Sequence, residues 1–260
     1  MADATLLITG GAGFTGRHLI EAANQKGYRC IAMVQHAGPE ATTACDTLIA
    51  DLLDPESLEN AILEVKPDYI VHLAAISFVA HGNTAEIYQV NQLGTINLLD
   101  AIRKNAPEIK KVLIASSANI YGNTTALPIT ESVPPAPVNH YGMSKVAMEL
   151  ATRLYADLPI VLSRPFNYTG CGQSPNFLIP KIVNAFKTSK RAIELGNLDV
   201  SRDFSDVRDV VAAYLRLLET HIAAPAYNVC SGIATSLLSV IEALNELAGY
   251  DIQVSINPDF

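Results

Sequence analysis

The chain has 260 residues, 49% of them hydrophobic and 17% charged, with a formal net charge of -8 at pH 7. This is ordinary globular composition, at a length that suits one large domain or one and a half. The acidic balance, without a Lys/Arg-rich run, argues against a nucleic-acid partner. No apolar run is as long as the roughly 18 residues of a membrane span, and we expect no signal peptide. The four scattered cysteines favour a reduced, cytoplasmic compartment and no metal site.

Short apolar runs alternate with helical patterns over the first two thirds of the chain. Strands are predicted at 6–9, 28–34, 47–50, 69–73, 111–116 and 160–163, and helices at 16–26, 55–65, 86–105 and 143–156. Asp54 and Pro55 suit the N-cap and first position of the second helix. The strands are apolar throughout, as in a parallel sheet covered on both faces. This alternation predicts a doubly wound α/β fold.

The pattern changes after Arg164. Residues 165–175 resemble a loop, and residues 124–139, with four prolines, are predicted to form a surface loop. Later helices are expected near 179–190, 207–219 and 237–248, with short strands near 193–195 and 227–229. We therefore predict a first domain over 1–165, which regains a strand or helix from about 200–230, and a smaller interleaved region over 166–260.

A glycine-rich loop, Thr9-Gly10-Gly11-Ala12-Gly13-Phe14-Thr15-Gly16, follows the first strand and opens the first helix. Glycine permits the tight turn and lets backbone N–H groups approach a pyrophosphate at the positive end of the helix. A purely structural turn is the alternative. The residues predicted to bind a dinucleotide here are Gly10, Gly13, Phe14, Thr15 and Gly16.

The end of the second strand commonly distinguishes NAD from NADP. An acidic residue there would bond the ribose 2′-OH of NAD, and an arginine would favour NADP. The segment Val34-Gln35-His36-Ala37 has neither. His36 could meet a 2′-phosphate and Gln35 a hydroxyl, or His36 could be an ordinary exposed loop residue. We expect NADP or NAD, with NADP slightly favoured.

Two further segments at strand ends are predicted to contact the cofactor. Asp51, followed by Leu52, is placed to accept from an adenine amino group, although it could instead cap the turn at Pro55. After the fourth strand, Leu73-Ala74-Ala75 has small residues that allow close approach to a cofactor. A helix-packing contact is the alternative for these small residues.

Tyr141 and Lys145 stand four residues apart, where a predicted helix begins. Positions i and i+4 share one helix face, so both side chains can act on the same small volume. A nearby cation favours the phenolate and lowers the pKa of a tyrosine from about 10 toward the working range. Ser117 ends the fifth strand at the carboxyl edge of the sheet, where α/β folds bind ligands. We predict these three residues to be catalytic. The alternative is that Tyr141 and Lys145 lie at an ordinary surface helix start and that Ser117 only caps or turns the chain.

Together these features resemble the extended short-chain dehydrogenase/reductases that act on nucleotide sugars. The resemblance rests on the glycine loop, Asp51-Leu52, His72-Leu73-Ala74-Ala75, Asn91 with Gly94-Thr95, Ser116-Ser117 with Tyr121-Gly122, and Tyr141-x-x-x-Lys145. It implies a Rossmann sheet that binds NAD or NADP. It also implies that Tyr141 exchanges a proton with the sugar carbonyl oxygen, that Ser117 is catalytic, and that Lys145 tunes the tyrosine and holds the nicotinamide ribose.

Departures from the family pattern indicate the reaction. The family's 4,6-dehydratases carry a glutamate two residues before the Tyr-Gly pair, where this chain has Asn119. An amide cannot serve as that base, so dehydration is disfavoured. The segments 195–199, 202–210 and 227–232 resemble the GDP-sugar branch, which includes GDP-mannose 4,6-dehydratase-like enzymes. They are most similar to reductases that form GDP-rhamnose from GDP-4-keto-6-deoxymannose.

The same resemblance suggests which residues bind the nucleotide sugar. Arg202 would contact the phosphates, where a guanidinium gives bidentate recognition, unless it pairs with Asp203 or Asp206. The remaining predicted substrate contacts are Ser77, Ser117, Asn167, Phe177 and Leu178. Family members usually continue beyond the segment that matches 256–260, and that further segment commonly helps to close the nucleotide pocket.

The leading hypothesis is therefore NAD(P)H-dependent reduction of the C4 keto group of a GDP-4-keto-6-deoxy sugar. A nucleotide-sugar 4-epimerase that retains its NAD and a non-catalytic dinucleotide-sensing module are the alternatives. Family analogy also suggests a homodimer formed through the helices at 86–105 and 141–156. The apolar residues Ile96, Leu99, Leu150 and Leu154 permit this, although they could instead face the sheet.

Overall fold

The computed structural model describes residues 4–36, 44–77, 82–221 and 224–257. The strands are β1 (Thr5–Thr9), β2 (Arg29–Val34), β3 (Asp46–Ile49), β4 (Tyr69–His72), β5 (Lys111–Ala115), β6 (Ile160–Pro165), β7 (Asn167–Thr169), β8 (Ala192–Leu195), β9 (Ser201–Asp206), β10 (Ala226–Val229), β11 (Ala234–Ser236) and β12 (Gln253–Ile256). The α-helices are α1 (Phe14–Gln25), α2 (Pro55–Val65), α3 (Thr84–Tyr88), α4 (Gly94–Asn105), α5 (His140–Thr152), α6 (Leu178–Lys187), α7 (Val207–Glu219) and α8 (Leu237–Ala248). No described helix is long and apolar enough to cross a membrane.

The chain divides into two compact units and passes between them after Pro165, Val207 and Val229. The first unit contains a seven-stranded sheet in the order β10-β6-β5-β4-β1-β2-β3. Every neighbouring pair in this sheet is parallel, so all seven carboxyl ends lie at one edge. This arrangement confirms the doubly wound Rossmann fold predicted from the alternating strands and helices.

The sheet of the first unit is stabilised by apolar side chains from its central strands. Leu6, Leu7 and Ile8 of β1 are fully buried, as are Ile70 and Val71 of β4. Their burial explains why these strands are apolar at consecutive positions. Helix α2 begins as predicted, because the Asp54 carboxylate accepts from the backbone N–H groups of Glu56 and Ser57 and Pro55 follows it.

The predicted helix at 86–105 is interrupted. Between α3 and α4 the chain forms a π-helical turn over Gln89–Leu93. Asn91 lies in this turn, fully buried, and its side chain bonds both backbone polar groups of Ile76 at 2.8 and 3.0 Å. A π turn inserts one residue into a helix and commonly marks a functional position. A 3.6-residue hydrophobic pattern does not reveal such an insertion.

The second unit contains the three-stranded sheet β11-β9-β7 and the two-stranded sheet β12-β8. Its apolar core includes Ile182, Leu195, Leu237 and Ile241. Strands β7, β9, β11 and β12 were missed, because they are short, polar or half-exposed. In particular, β7 lies in the segment predicted as a loop at 165–175, where inter-strand bonds to β9 override the local turn composition.

A buried ion pair fixes helix α5 to strand β6. Arg164 donates from Nε and Nη2 to the two carboxylate oxygens of Glu149, at 3.0 and 2.6 Å. Its Nη1 donates to the Tyr121 hydroxyl at 2.9 Å and to the Glu131 carbonyl at 3.2 Å. Burial works to lower the pKa of Arg164, but the bonds to Glu149 outweigh it and raise that pKa. Removing one partner would leave a charge buried without compensation.

We therefore predict that Arg164→Met lowers the free energy of unfolding by about 3–5 kcal/mol, because the Glu149 carboxylate stays buried without its cation. The matched control is Arg29→Met, since the Arg29–Asp46 pair is exposed and its atoms are 3.5 Å apart. That change should cost less than about 1 kcal/mol. Urea unfolding measures both, and equal losses for the two variants would contradict the assignment.

Candidate active site

The glycine loop connects β1 to α1 in a backbone conformation that requires glycine. Gly10 has φ +68°, and a Cβ there would lie 2.9 Å from the Ala74 nitrogen. A Cβ on Gly16 would lie 2.5 Å from the carbonyl oxygens of both Gly10 and Gly11. Helix α1 begins directly after Gly13, which has no side chain to cap it. The loop is therefore shaped to hold a pyrophosphate against the positive end of α1.

The segment after β4 packs against this loop. The close approach of Gly10 to Ala74 brings two predicted cofactor segments together at the carboxyl ends of β1 and β4. Leu73, Ala74 and Ala75 are each half-buried. Strand order reverses around β1 in this sheet, and α/β folds bind ligands at such a switch point.

A buried hydrogen-bond chain supports the cofactor segments. His72 is 2% exposed, and burial, followed by the charge of Lys145, lowers its pKa to about 3. Its Nδ1 lies 2.7 Å from the Thr9 hydroxyl, which accepts from the Ala74 N–H at 3.1 Å. Its Nε2 lies 2.9 Å from the Thr95 hydroxyl, which donates to the Asn91 carbonyl. A neutral imidazole protonated on Nε2 satisfies every bond in the chain, so His72 positions Ala74 rather than transferring protons.

The residues predicted near the adenosine follow β2 and β3, which lie on the other side of β1 from β5 in the strand order. The Asp51 carboxylate accepts from the Gln35 side chain at 3.2 Å and from the Leu53 N–H at 2.9 Å. It does not cap α2, a role that Asp54 fills. His36 is exposed, and Leu52 is buried where a Cβ on Gly94 would meet its side chain at 2.9 Å. The residue range 37–43, including Ala37, lies outside the described residues.

The predicted catalytic lysine is buried against the sheet. Lys145 is 4% exposed, and its Nζ donates to the Ala115 carbonyl at the end of β5, at 2.7 Å. Burial lowers its pKa to about 8, although the nearby Glu149 charge acts in the opposite direction. At pH 7 Lys145 is therefore mainly protonated, with the positive charge that favours a tyrosinate.

Ser117 and Tyr141 lie on two backbone segments in direct contact. Ser117 begins a short 3₁₀ turn over Ala118–Tyr121, and it is 6% exposed. Tyr141, 9% exposed, lies in the first turn of α5, which the Asn139 side chain caps by accepting from the Gly142 N–H at 2.8 Å. A Cβ on Gly142 would lie 2.7 Å from the Asn119 carbonyl oxygen. Glycine at 142 thus lets the start of α5 approach the turn that carries Ser117.

Asn91 and Ser144 connect parts of the site, and the sequence alone assigned a role to neither of them. The Asn91 amide donates to the Ser144 hydroxyl at 3.0 Å, and that hydroxyl donates to the Tyr141 carbonyl at 2.7 Å. Asn91 thereby links Ile76, beyond the predicted cofactor segment after β4, to the helix of Tyr141. The long sequence separations, 15 and 53 residues, hid this link from sequence reasoning.

Four of the predicted substrate residues lie together in the second unit. Asn167, Phe177, Leu178 and Arg202 line a cavity of about 150 Å³. Tyr168 and Phe204 add aromatic surface to it, and among the described residues that line it Arg202 is the charged one. Ser77 belongs to the first unit and is exposed.

Among the described parts of the chain, no carboxylate pairs with the arginine of this cavity. Within the described residues, the side-chain bond of Arg202 is to the Ser201 carbonyl at 2.9 Å. Asp203 instead accepts from the backbone N–H groups of Ser231 and Gly232, at 3.0 and 2.6 Å. The alternative that Arg202 pairs with Asp203 or Asp206 is therefore wrong, and its charge is available to an anionic ligand.

Gln173 is a further cavity residue that sequence reasoning missed. Its amide nitrogen donates to the Tyr168 carbonyl at 3.3 Å. Its side-chain oxygen is buried and has no hydrogen-bond partner within the described ranges. A buried acceptor without a partner is costly, which makes it a point where a ligand N–H would bind favourably. Across the same ranges, no group of three or more His, Cys, Asp or Glu residues could hold a metal ion.

Comparison with known proteins identifies the family. Residues 6–230 match the NAD dependent epimerase/dehydratase family, and the chain belongs to that family. The prediction of an NAD(P)-dependent enzyme of the extended short-chain dehydrogenase/reductase type is confirmed at this level.

Two proteins that are similar to this chain along most of its length are named as enzymes of GDP-6-deoxy sugars. A GDP-6-deoxy-D-talose 4-dehydrogenase of Aggregatibacter actinomycetemcomitans is 38% identical over 256 residues, which cover 98% of this chain and 84% of the relative. A GDP-6-deoxy-D-mannose reductase of Pseudomonas aeruginosa is 35% identical, over 97% of this chain and 83% of the relative. The structure of RMD from Pseudomonas aeruginosa complexed with NADPH has a TM-score of 0.83 and 34% identity, and covers 98% of this chain and 85% of that chain.

The burial of Lys145 predicts a pH-dependent stability. Its pKa is about 8 in the folded chain and about 10.4 when unfolded, so between these values the unfolded state binds more protons. The free energy of unfolding of wild type therefore rises with pH in this window, and the full cost of burying the charged ammonium is present below pH 8. Lys145→Met removes this cost at every pH, so only wild type gains stability as the pH rises. The free energy of unfolding of Lys145→Met relative to that of wild type should therefore fall by at least about 1 kcal/mol from pH 7 to pH 10. Urea unfolding at both pH values measures the difference.

Lys104→Met is the control for this measurement, since Lys104 is exposed. Its stability relative to wild type should change little over the same interval. A Lys145→Met difference as independent of pH as that of the control would contradict the depressed pKa.

Proposed function

We propose that the protein reduces the C4 keto group of a GDP-4-keto-6-deoxy sugar with NADPH or NADH. The observation that carries the proposal is the buried set of Ser117, Tyr141 and Lys145 at the same carboxyl edge of the sheet as the glycine loop, without a carboxylate at position 119. The loop fits a dinucleotide because Gly10 and Gly16 pack too closely against Ala74 and against the loop's own carbonyl oxygens to carry side chains, so the backbone can approach a pyrophosphate at the start of α1. When bound, the reduced nicotinamide supplies the hydride for C4.

The three residues act on the carbonyl oxygen. Tyr141 donates its phenolic proton to that oxygen, so that C=O becomes CH–OH. Ser117 donates a hydrogen bond to the same oxygen as negative charge develops on it. The buried ammonium of Lys145 stabilises the resulting tyrosinate. Interactions that strengthen as charge develops raise the rate rather than merely the binding of substrate.

The base at C5 distinguishes reduction from dehydration. Asn119 is an amide and cannot remove a proton from C5, so the dehydratase reaction lacks its base.

A 4-epimerase with retained NAD is the second candidate. UDP-glucose 4-epimerases are among the relatives of this chain, for example one of Bacillus subtilis at 27% identity. Net consumption of cofactor separates the two reactions, because epimerisation returns the hydride to the sugar.

The cavity of the second unit supports a nucleotide diphosphate ligand. The guanidinium of Arg202 suits a diphosphate, and Phe177, Tyr168 and Phe204 offer faces for stacking a base. The buried Gln173 oxygen would accept an N–H of guanine. GDP is the favoured nucleotide, because the relatives of 38% and 35% identity are named as enzymes of GDP-6-deoxy sugars, and we expect the reaction to belong to nucleotide-sugar metabolism in the cytoplasm.

The proposal predicts that the protein oxidises NADPH or NADH stoichiometrically when given GDP-4-keto-6-deoxymannose, and that Tyr141→Phe lowers kcat at least about 100-fold because the proton donor is lost. Absorbance at the nicotinamide band, with each cofactor in turn, measures this. A UDP sugar of the same kind should react more slowly. Absence of turnover with the GDP sugar, or interconversion of a UDP sugar without net oxidation, would overturn the reductase assignment.

The apolar surface of α5 and of the 3₁₀ turn that follows it, Arg153–Tyr155, supports a homodimer. Met143 and Leu150 of α5 are 45% and 51% exposed, and Leu154 of the 3₁₀ turn is 78% exposed. Ile96 is half-buried, whereas Leu99 is fully buried in the core and faces the sheet rather than solvent. Exposed leucines one helical turn apart are typical of a surface that a second copy covers.

Replacing both leucines by aspartate should therefore convert a dimer into a monomer, which light scattering after gel filtration would detect as a halved mass. The control is Leu247→Asp on α8, since Leu247 is 83% exposed. That variant should keep the wild-type mass. A wild-type chain that is monomeric at micromolar concentration would contradict the dimer.

A further inference from the structure

We propose that Asn119 is a positioning residue that fixes the direction in which the Ser117 hydroxyl donates its hydrogen. The inference rests on the proposed reduction and gives Asn119 a role beyond the absence of a dehydratase base. The side chain of Asn119 does not need to touch the substrate for this role. It acts through Ser117, two residues earlier.

The geometry around the serine oxygen carries the inference. Ser117 Oγ accepts one hydrogen bond from the backbone N–H of Asn119 and a second from its side-chain Nδ2, each at 3.1 Å. A serine hydroxyl has two acceptor lone pairs and one hydrogen. With both lone pairs occupied by Asn119, the oxygen accepts from no other group, and its hydrogen points away from Asn119.

The described residues offer no internal acceptor for that hydrogen. In both hydrogen bonds of the Ser117 side chain the oxygen is the acceptor, so the hydroxyl hydrogen is not used in either. The residue is buried, with 6% exposure. The turn itself is held in place, because the Gly122 N–H donates to the Asn119 carbonyl at 3.3 Å and Gly142 packs against that carbonyl. A substrate carbonyl oxygen is the acceptor that would take the hydrogen of the Ser117 hydroxyl.

The amide group is essential to this arrangement. An amide nitrogen can only donate, so it pins the serine as a donor to the substrate and increases the polarity of its O–H bond. A carboxylate at position 119 can only accept. The Ser117 hydroxyl would then turn toward the carboxylate, and the developing alkoxide would lose a hydrogen bond.

The experiment compares Asn119→Asp with Asn119→Ala in the NADPH oxidation assay. Asn119 is exposed, so neither change disturbs the core. Alanine keeps the backbone donor, and we expect kcat to fall by about 3- to 10-fold. Aspartate reverses the serine, and kcat should fall by about 100-fold or more, as for loss of an oxyanion donor. KM should stay within about threefold of wild type in both, because the lost bond strengthens only in the transition state.

Two controls separate this role from a general effect of charge. Asn123→Asp places the same charge on a nearby exposed residue and should leave kcat unchanged. In the Ser117→Ala background, Asn119→Asp should cost little more, because there is no hydroxyl left to misdirect. Equal kcat values for the aspartate and alanine variants, or full additivity with Ser117→Ala, would overturn the inference.

Urea unfolding separates this inference from the proposed function. Asn119→Ala should lower the unfolding midpoint of wild type but not that of Ser117→Ala, while Asn119→Asp keeps the wild-type midpoint by accepting from the hydroxyl. If the wild type reduces no nucleotide sugar, the proposed function fails, and this pattern still decides whether position 119 orients Ser117. An unchanged midpoint in Asn119→Ala would overturn the inference without reference to activity.

Discussion

The hydrogen bond from the buried ammonium of Lys145 to the Ala115 carbonyl is the contact on which the site depends. An ammonium is costly to bury, so it must be held by a fixed acceptor, and the carbonyl at the end of β5 provides one. This bond ties α5 to the edge of the sheet. Tyr141 lies one turn before Lys145 on that helix, and Ser117 follows Ala115 by two residues. One contact therefore brings all three predicted catalytic residues to the same edge.

Other buried polar groups keep this arrangement from relaxing. Glu149, one turn after Lys145, is locked to Arg164 of β6, and Ser144 receives a bond from Asn91 of the π turn. The neutral His72 connects that turn to Ala74 beside the glycine loop. Fully satisfied polar networks of this kind rigidify a core and specify one geometry. They explain how a site built from separate strands and helices can be preorganised for a small carbonyl group.

Sequence patterns predicted the first unit well, because its strands are continuous apolar runs and its loops carry strong glycine and capping signals. The helices at Pro55–Val65, Val207–Glu219 and Leu237–Ala248 were predicted with their observed ends. The π turn at Asn91 and the strand at Asn167–Thr169 were not, since both depend on partners distant in the sequence. The orientation of Ser117 by Asn119 also needed atomic positions, although the residue types were visible.

Isotopic labelling can follow the proposed transfer of hydride from the cofactor to C4 of the sugar. Incubation of GDP-4-keto-6-deoxymannose with NADPH or NADH carrying deuterium on the transferred position of C4, followed by mass spectrometry and NMR of the product, locates the label. We expect one deuterium at C4 of a GDP-6-deoxy sugar for each cofactor oxidised. A product without deuterium at C4, or label that stays in the cofactor, would contradict it.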